Sequence, residues 1–186
     1  MKKNFNKGLA LYKKDAGWSA FLGSGGGTLF DSFGTFNFSE WQHVAFVRQS
    51  GTYRFYVNGE VLVETSTYGT YNLAANSLIV GANNYNNGYP DYEWPGYISN
   101  LRVINGRAVY GPGNFTVPKF KLKNIPGTVL LCCQSSSSTT EAAVGDGALS
   151  ANSAPVASGF APDLKEDITD TGVVLGDNTK FDTLSY

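Results

Sequence analysis

The dipeptide Asn58-Gly59, set between two runs of β-forming side chains, constrains this chain more than any other feature. Tyr53-Arg54-Phe55-Tyr56-Val57 precedes it and Glu60-Val61-Leu62-Val63-Glu64 follows it. A two-residue loop between antiparallel strands favours a type I′ turn. Its two central residues need positive φ, which Asn and Gly tolerate best. Such a loop also fixes the pairing: Val57 opposite Glu60, Tyr56 opposite Val61, and Phe55 opposite Leu62. Phe55, Val57 and Leu62 are then expected on one core-facing side, with Arg54 and Tyr56 on the other.

The surrounding sequence extends the β pattern. Gln42 to Arg48 reads as a strand after Trp41, Ser77 to Val80 as another closed by Gly81, then Tyr97 to Ile104, then Thr128 to Cys133. Short runs between Gly, Asn and Pro turns indicate a sandwich or barrel. Aromatic residues make up 14 % of the chain and glycine is abundant, a mix that suits strands and tight turns. No long stretch carries a helical period, so the expected class is all-β and antiparallel.

Three zones follow from composition across the 186 residues. A β-sandwich is expected over 1–134, a low-complexity linker or arm over 135–162, and a C-terminal docking segment over 163–186. The arm opens on Ser135-Ser136-Ser137-Ser138 and stays rich in Ala, Gly, Ser and Pro. Such a stretch buries too little apolar surface to offset its ordering entropy, so it is expected to lie extended over neighbouring protein. Thr171 to Gly176 is a candidate for one more strand.

The net charge of −1 and the absence of a basic cluster argue against nucleic acid as a partner. No apolar run approaches the ~18 residues of a membrane helix, so no membrane partner is expected. Cys132 and Cys133 are adjacent, and neighbours in a strand point to opposite faces, so an ordinary disulfide between them would be strained. With His43 as the single histidine, they do not supply the four ligands of a structural zinc site. They are read as strand residues that fill space.

Four segments carry a family resemblance. Trp41-Gln42-His43-Val44-Ala45-Phe46-Val47-Arg48 resembles the W-x-H-V-A-x-x-R strand of laminin G-like, concanavalin A-like jelly rolls. Tyr53 to Gly59 resembles the hairpin that follows it, Leu78-Ile79-Val80-Gly81 the L-x-I-G strand, and Gly96 to Val103 the closing strand. Gly106-Arg107-Ala108-Val109-Tyr110, Asn114-Phe115-Thr116-Val117-Pro118 and Gly127-Thr128-Val129-Leu130-Leu131-Cys132-Cys133-Gln134 are similar to an extension of such domains in virion proteins of tailed bacteriophages, marine and cyanophage ones included. The resemblance spans roughly Leu9 to Gln134 and implies a jelly-roll sandwich. About forty residues precede Trp41, fewer than the family's early strands normally take, so a short opening edge is expected.

The resemblance implies a virion structural protein, a capsid-decoration or tail-fibre component located in the virion. It would bind other virion proteins through its arm or assemble as a homo-oligomer. The alternative is a lectin module that attaches to a cell-surface glycan. Related jelly rolls include glycoside hydrolases, which need two carboxylates at a defined separation across the scissile bond. Glu60 and Glu64 stand at the ends of one strand, and Asp91 and Glu93 lie in a loop between Pro90 and Pro95, so no catalytic pair is expected and the chain is read as a non-enzyme. His43 is read as a packed sheet residue. The run Gly23-Ser24-Gly25-Gly26-Gly27 is read as a turn, because no helix follows it to hold a phosphate.

The segment Asn83 to Trp94 holds three Tyr, one Trp, four Asn and two acids. Aromatic faces stack on sugar C–H surfaces, and Asn and Asp hydrogen-bond hydroxyls. Tyr85, Asn86, Asn87, Tyr89, Asp91, Tyr92 and Trp94 are therefore the candidate glycan- or partner-contact residues. Tyr and Asn also dominate protein contact loops, and Trp94 could instead plug the sandwich end. No cofactor is expected. Asp91 with Asn86, Asn87 and backbone carbonyls would offer calcium a weak site of oxygen ligands.

Overall fold

The computed structural model describes residues 8–23, 28–37, 39–66, 78–86, 89–91, 94–145, 149–151, 155–162 and 164. The described residues form antiparallel strands and no helix. The fold is all-β, with antiparallel sheets that pack face to face as a sandwich.

The opening edge, expected to be short, carries three strands: β1 (Gly8–Lys14), β2 (Gly17–Gly23) and β3 (Thr28–Phe33), paired in the order β1-β2-β3. Short loops make this possible, because Asp15 takes φ 53° and lets β1 reverse directly into β2. In central β2, Trp18 and Ala20 point to one face and Ser19 and Phe21 to the other, and all four are buried. The Ser19 hydroxyl accepts from the Ser32 amide at 2.9 Å, which satisfies the buried oxygen.

The second sheet is β4 (Val44–Gln49), β5 (Thr52–Val57) and β6 (Glu60–Thr65), with β5 in the centre. Asn58 and Gly59 take φ 52° and 83°, as a type I′ turn requires. The turn is clamped on both flanks. The Asn58 amide donates to the His43 carbonyl at 2.8 Å, and the His43 amide donates to Asn58 Oδ1 at 2.9 Å. Val57 opposes Glu60 and Tyr56 opposes Val61, as the turn dictates. Beyond them the register slips, so that Phe55 opposes Val63 rather than Leu62. Leu62 is the extra residue of this bulge and is 38 % exposed, while Val63 takes its expected place against the core.

The two sheets meet through Trp18, Ala20 and Phe30 on one side and Tyr53, Phe55 and Val57 on the other. Phe33 and Phe55 meet edge to face at 4.7 Å, a favoured aromatic geometry. Burial of each such aromatic side chain contributes about 1.5–3 kcal/mol.

The third sheet has the order β11-β10-β9, with β9 Leu101–Ile104, β10 Thr128–Cys132 and β11 Ala142–Val144. The strand expected from Tyr97 starts only at Leu101, because Asn100 takes φ 54° and breaks the extended backbone. β11 comes from the stretch expected to be a linker: Ala142 and Val144 pair with Cys132 and Leu131. Thr171 to Gly176 lies outside the described residues.

Leu78-Ile79-Val80 does not form the expected strand. These three residues stay exposed and run into Gly81, which turns the chain at φ 78°. Ser77 lies outside the described residues.

Candidate aromatic surfaces and the Asn/Tyr hairpin

The candidate contact segment folds as a small hairpin, β7 (Asn83–Asn86) with β8 (Tyr89–Asp91). Asn83 opposes Asp91, Asn84 opposes Pro90, and Asn86 opposes Tyr89. The register shift between Asn84 and Asn86 leaves Tyr85 as the bulged residue. The backbone thus brings Asn86 and Tyr89 together at the tip and Asp91 to the base. Asn87 and Tyr92 lie outside the described residues.

Trp94 is partly buried against the sandwich core. Its indole stacks on Trp18 at 6.0 Å and meets Phe36 edge to face at 5.3 Å. Its amide donates to the Gly81 carbonyl at 2.7 Å. Gly96 keeps the space beside the indole, since a Cβ there would stand 3.0 Å from Trp94 Nε1. Trp94 therefore fastens the base of the hairpin to the sandwich core. A sugar-stacking platform needs an open ring face, and one face of this ring is taken by Trp18.

A second aromatic group, absent from the sequence-derived candidates, lies where the arm returns to the sandwich. Phe160 packs on Tyr97 at 4.7 Å and on Trp41 at 5.7 Å. Tyr97 is 56 % exposed and Phe160 60 %, and Ile98 beside them is also exposed. With Leu78, Ile79 and Val80 these residues account for much of the exposed apolar surface of the described chain. One signal in the sequence points to it: Phe160 is the lone aromatic between Ser135 and Pro162, in a stretch with few large apolar side chains.

A third group closes the outer face of β5. The segment after β9 crosses that face as a lid, with Tyr110 stacked on Phe115 at 3.7 Å. Phe115 meets Tyr56 at 5.2 Å and His43 at 5.5 Å. Three hydrogen bonds pin the lid. The Tyr56 hydroxyl donates to the Gly111 carbonyl at 2.6 Å, the Phe115 amide to the Gly59 carbonyl at 2.8 Å, and the Val61 amide to Asn114 Oδ1 at 3.0 Å. Burial, and then the nearby Arg102 guanidinium, push the His43 pKa below its ordinary value, which favours the neutral imidazole. Arg54, 8 % exposed, is charge-paired with Glu64 across the β5–β6 ladder. The expectation that Arg54 and Tyr56 face outward gives the correct side of the sheet, but the lid buries that side.

Among the described residues, no three His, Cys, Asp or Glu side chains converge as a metal site. Of the described carboxylates, Asp31 pairs with Lys14 at 2.7 Å and Glu64 with Arg54. Cys132 and Cys133 do not point to opposite faces. Cys133 leaves the strand with φ 60°, and the two sulfurs lie 3.6 Å apart.

No curated protein and no solved structure matches this chain. Residues 4–109, more than half of the chain, match the Laminin_G_3 family, whose description is concanavalin A-like lectin/glucanases superfamily. The match covers β1 to β9 and stops within the lid, before β10 and β11. Its span, together with the sandwich, shows that the chain belongs to the concanavalin A-like lectin/glucanases superfamily.

Proposed function

We propose that this protein is a structural component of a tailed-phage virion, a capsid-decoration or tail-fibre protein that binds other virion proteins through its arm and the sandwich surface on which the arm's Phe160 packs, and that it is not an enzyme. The observation that carries this reading is the extension beyond the family match. Its residues resemble the phage-type extension, and they are the ones the fold employs. Tyr110 and Phe115 build the lid, Thr128 Oγ1 accepts from the Ile125 amide at 3.1 Å, and Gln134 Nε2 donates to the Leu122 carbonyl at 2.8 Å.

The exposed strip Leu78-Ile79-Val80 with Tyr97, Ile98 and Phe160 supports protein contact over sugar contact. Leu78, Ile79, Val80 and Ile98 gain by burial against another apolar surface and offer no hydrogen bonds to sugar hydroxyls; of the six, Tyr97 alone carries a hydroxyl. Particles that lack the protein, mixed with the recombinant chain and sedimented, test the reading. Wild-type protein sediments with the particles. Ile98→Asp lowers that binding about tenfold or more, because a carboxylate would be buried at an apolar contact. Equal binding of both proteins removes the strip from the interface, and no binding by either removes the virion assignment.

The second reading, a lectin, is favoured by one observation: the hairpin β7–β8 gathers Asn86 opposite Tyr89 at its tip. A glycan array separates the two. A sugar bound by wild type and lost on Tyr89→Ala or Tyr92→Ala would establish the lectin.

A further inference from the structure

We propose that Cys132 and Cys133 form a two-thiol site for a soft, thiophilic metalloid or metal centre, one that takes two sulfur ligands from the protein and completes its shell from outside. The pair sits at the end of β10, remote in sequence from the candidate hairpin, and the inference does not depend on the virion reading.

The first support is an unusual backbone. Two consecutive residues of a regular strand direct their side chains to opposite faces. Cys133 escapes that rule by adopting φ 60°, a left-handed conformation that costs a non-glycine residue about 1–3 kcal/mol. The surroundings hold it there. The Asn100 amide donates to the Cys133 carbonyl at 2.9 Å, and Asn100 itself takes φ 54°. Asn100 Oδ1 accepts from the Leu122 amide at 3.1 Å and from Gln134 Nε2 at 2.8 Å. A clamp of three residues thus maintains a strained turn whose visible result is two sulfurs side by side.

The second support is the separation. Two sulfurs 3.6 Å apart, each bonded at about 2.3 Å to one shared atom, subtend roughly 100° at that atom, close to tetrahedral or pyramidal geometry. Chelation therefore needs almost no movement. A disulfide would need the sulfurs drawn in to about 2.0 Å, with Cα atoms that adjacency holds ~3.8 Å apart, inside the 4.4 Å that ordinary bridges need. The geometry favours a bridging atom over a direct bond.

The third support is chemical. Cys132 is 4 % exposed and Cys133 is half-buried, so the pair is reached from one side, through Cys133. The hydrogen bond from the Cys132 thiol lowers the Cys133 pKa, and the same bond and then burial raise that of Cys132. Cys133 supplies the first thiolate, and Cys132 gives up its proton as the second bond forms. No third His, Cys, Asp or Glu joins them among the described residues, so a centre that requires four protein ligands is the wrong class.

Phenylarsine oxide is a probe of this chemistry. Two As–S bonds form, the As–O bond breaks, and the oxygen leaves as water with the two thiol protons. Arsenic stays trivalent and nothing is oxidised. The chain has two cysteines, so the mass of the intact, reduced protein reads the reaction directly. One arsenical adds with loss of one water, survives an excess of 2-mercaptoethanol, and is removed by 2,3-dimercaptopropanol. In Cys133→Ala, retention against the monothiol falls by about 100-fold or more, the loss expected when a two-point attachment becomes a single one. The half-buried Cys133 position keeps the test available if Cys132→Ser does not fold. A wild-type adduct shed as readily as that of Cys133→Ala overturns the proposal, as does wild type taking up two arsenicals.

Discussion

Tyr110 and Phe115 stack at 3.7 Å over the outer face of β5, while Trp41, Tyr97 and Phe160 meet at 4.7–6.4 Å and Tyr97 and Phe160 stay exposed. Both groups bring a later segment of chain back onto the family domain through aromatic rings. The difference lies in the backbone. The lid is tied by amide and hydroxyl bonds to Gly59, Val61 and Tyr56, so its rings are held whatever they gain by stacking. For Phe160 the hydrogen bond is to its own neighbourhood: its amide donates to Ser158 Oγ at 3.0 Å. Aromatic contact alone makes a surface, and aromatic contact with backbone bonding makes a layer of the core.

The comparison is broken most severely at Gly59. Its φ of 83° strains any side chain, and a Cβ there would stand 2.1 Å from the Phe115 carbonyl oxygen. Gly59→Ala is expected to cost about 2–4 kcal/mol, read by denaturant unfolding, by combining left-handed strain with displacement of the lid. A loss under about 1 kcal/mol would mean that the lid is not seated on this turn. A smaller effect is expected for Tyr56→Phe, which keeps the ring and removes the bond to Gly111. The cost is about 0.5–1.5 kcal/mol, and amide exchange in residues 105–117 should rise. Smallest of all is Phe160→Ala, within about 0.5 kcal/mol of wild type in stability, because the ring is mostly solvated. A larger loss would place the arm among the core elements and erase the contrast with the lid.

Much of this fold is legible in the sequence where local chemistry is strong. Asn58-Gly59 dictates its own turn and the first two cross-strand pairs. The third pair fails because Val61-Leu62-Val63 is apolar throughout, so alternation gives no sign of which residue faces the core. Leu62 instead covers Gly34, where a Cβ would stand 2.5 Å from Leu62 Cδ1. The burial of Tyr56 and Arg54 is not legible, because the lid is a Gly- and Pro-rich loop that looks like an ordinary connection. Of the candidate contact residues, the pairing of Asn86 with Tyr89 follows from a local hairpin. The inward turn of Trp94 depends on Trp18, which lies far away in sequence. Leu78-Ile79-Val80 reads as a strand because apolar runs usually are, and its exposure is visible only once the chain is folded. The adjacent sulfurs depend on φ at Cys133, which Asn100 and Gln134 impose from outside the strand.

The pairing of Ala142–Val144 on β10 has a consequence for how this protein stays out of trouble during its synthesis. Until the ribosome has released the chain as far as Val144, Leu131 and Cys132 present bare amides and carbonyls on one flank, the kind of template that recruits a second copy. The nascent polypeptide covers that flank with the plainest residues it has, a few alanines and a valine drawn from its most featureless stretch. A chain cut at Gln134 would retain all of the family-matched region and lose its safeguard against self-association.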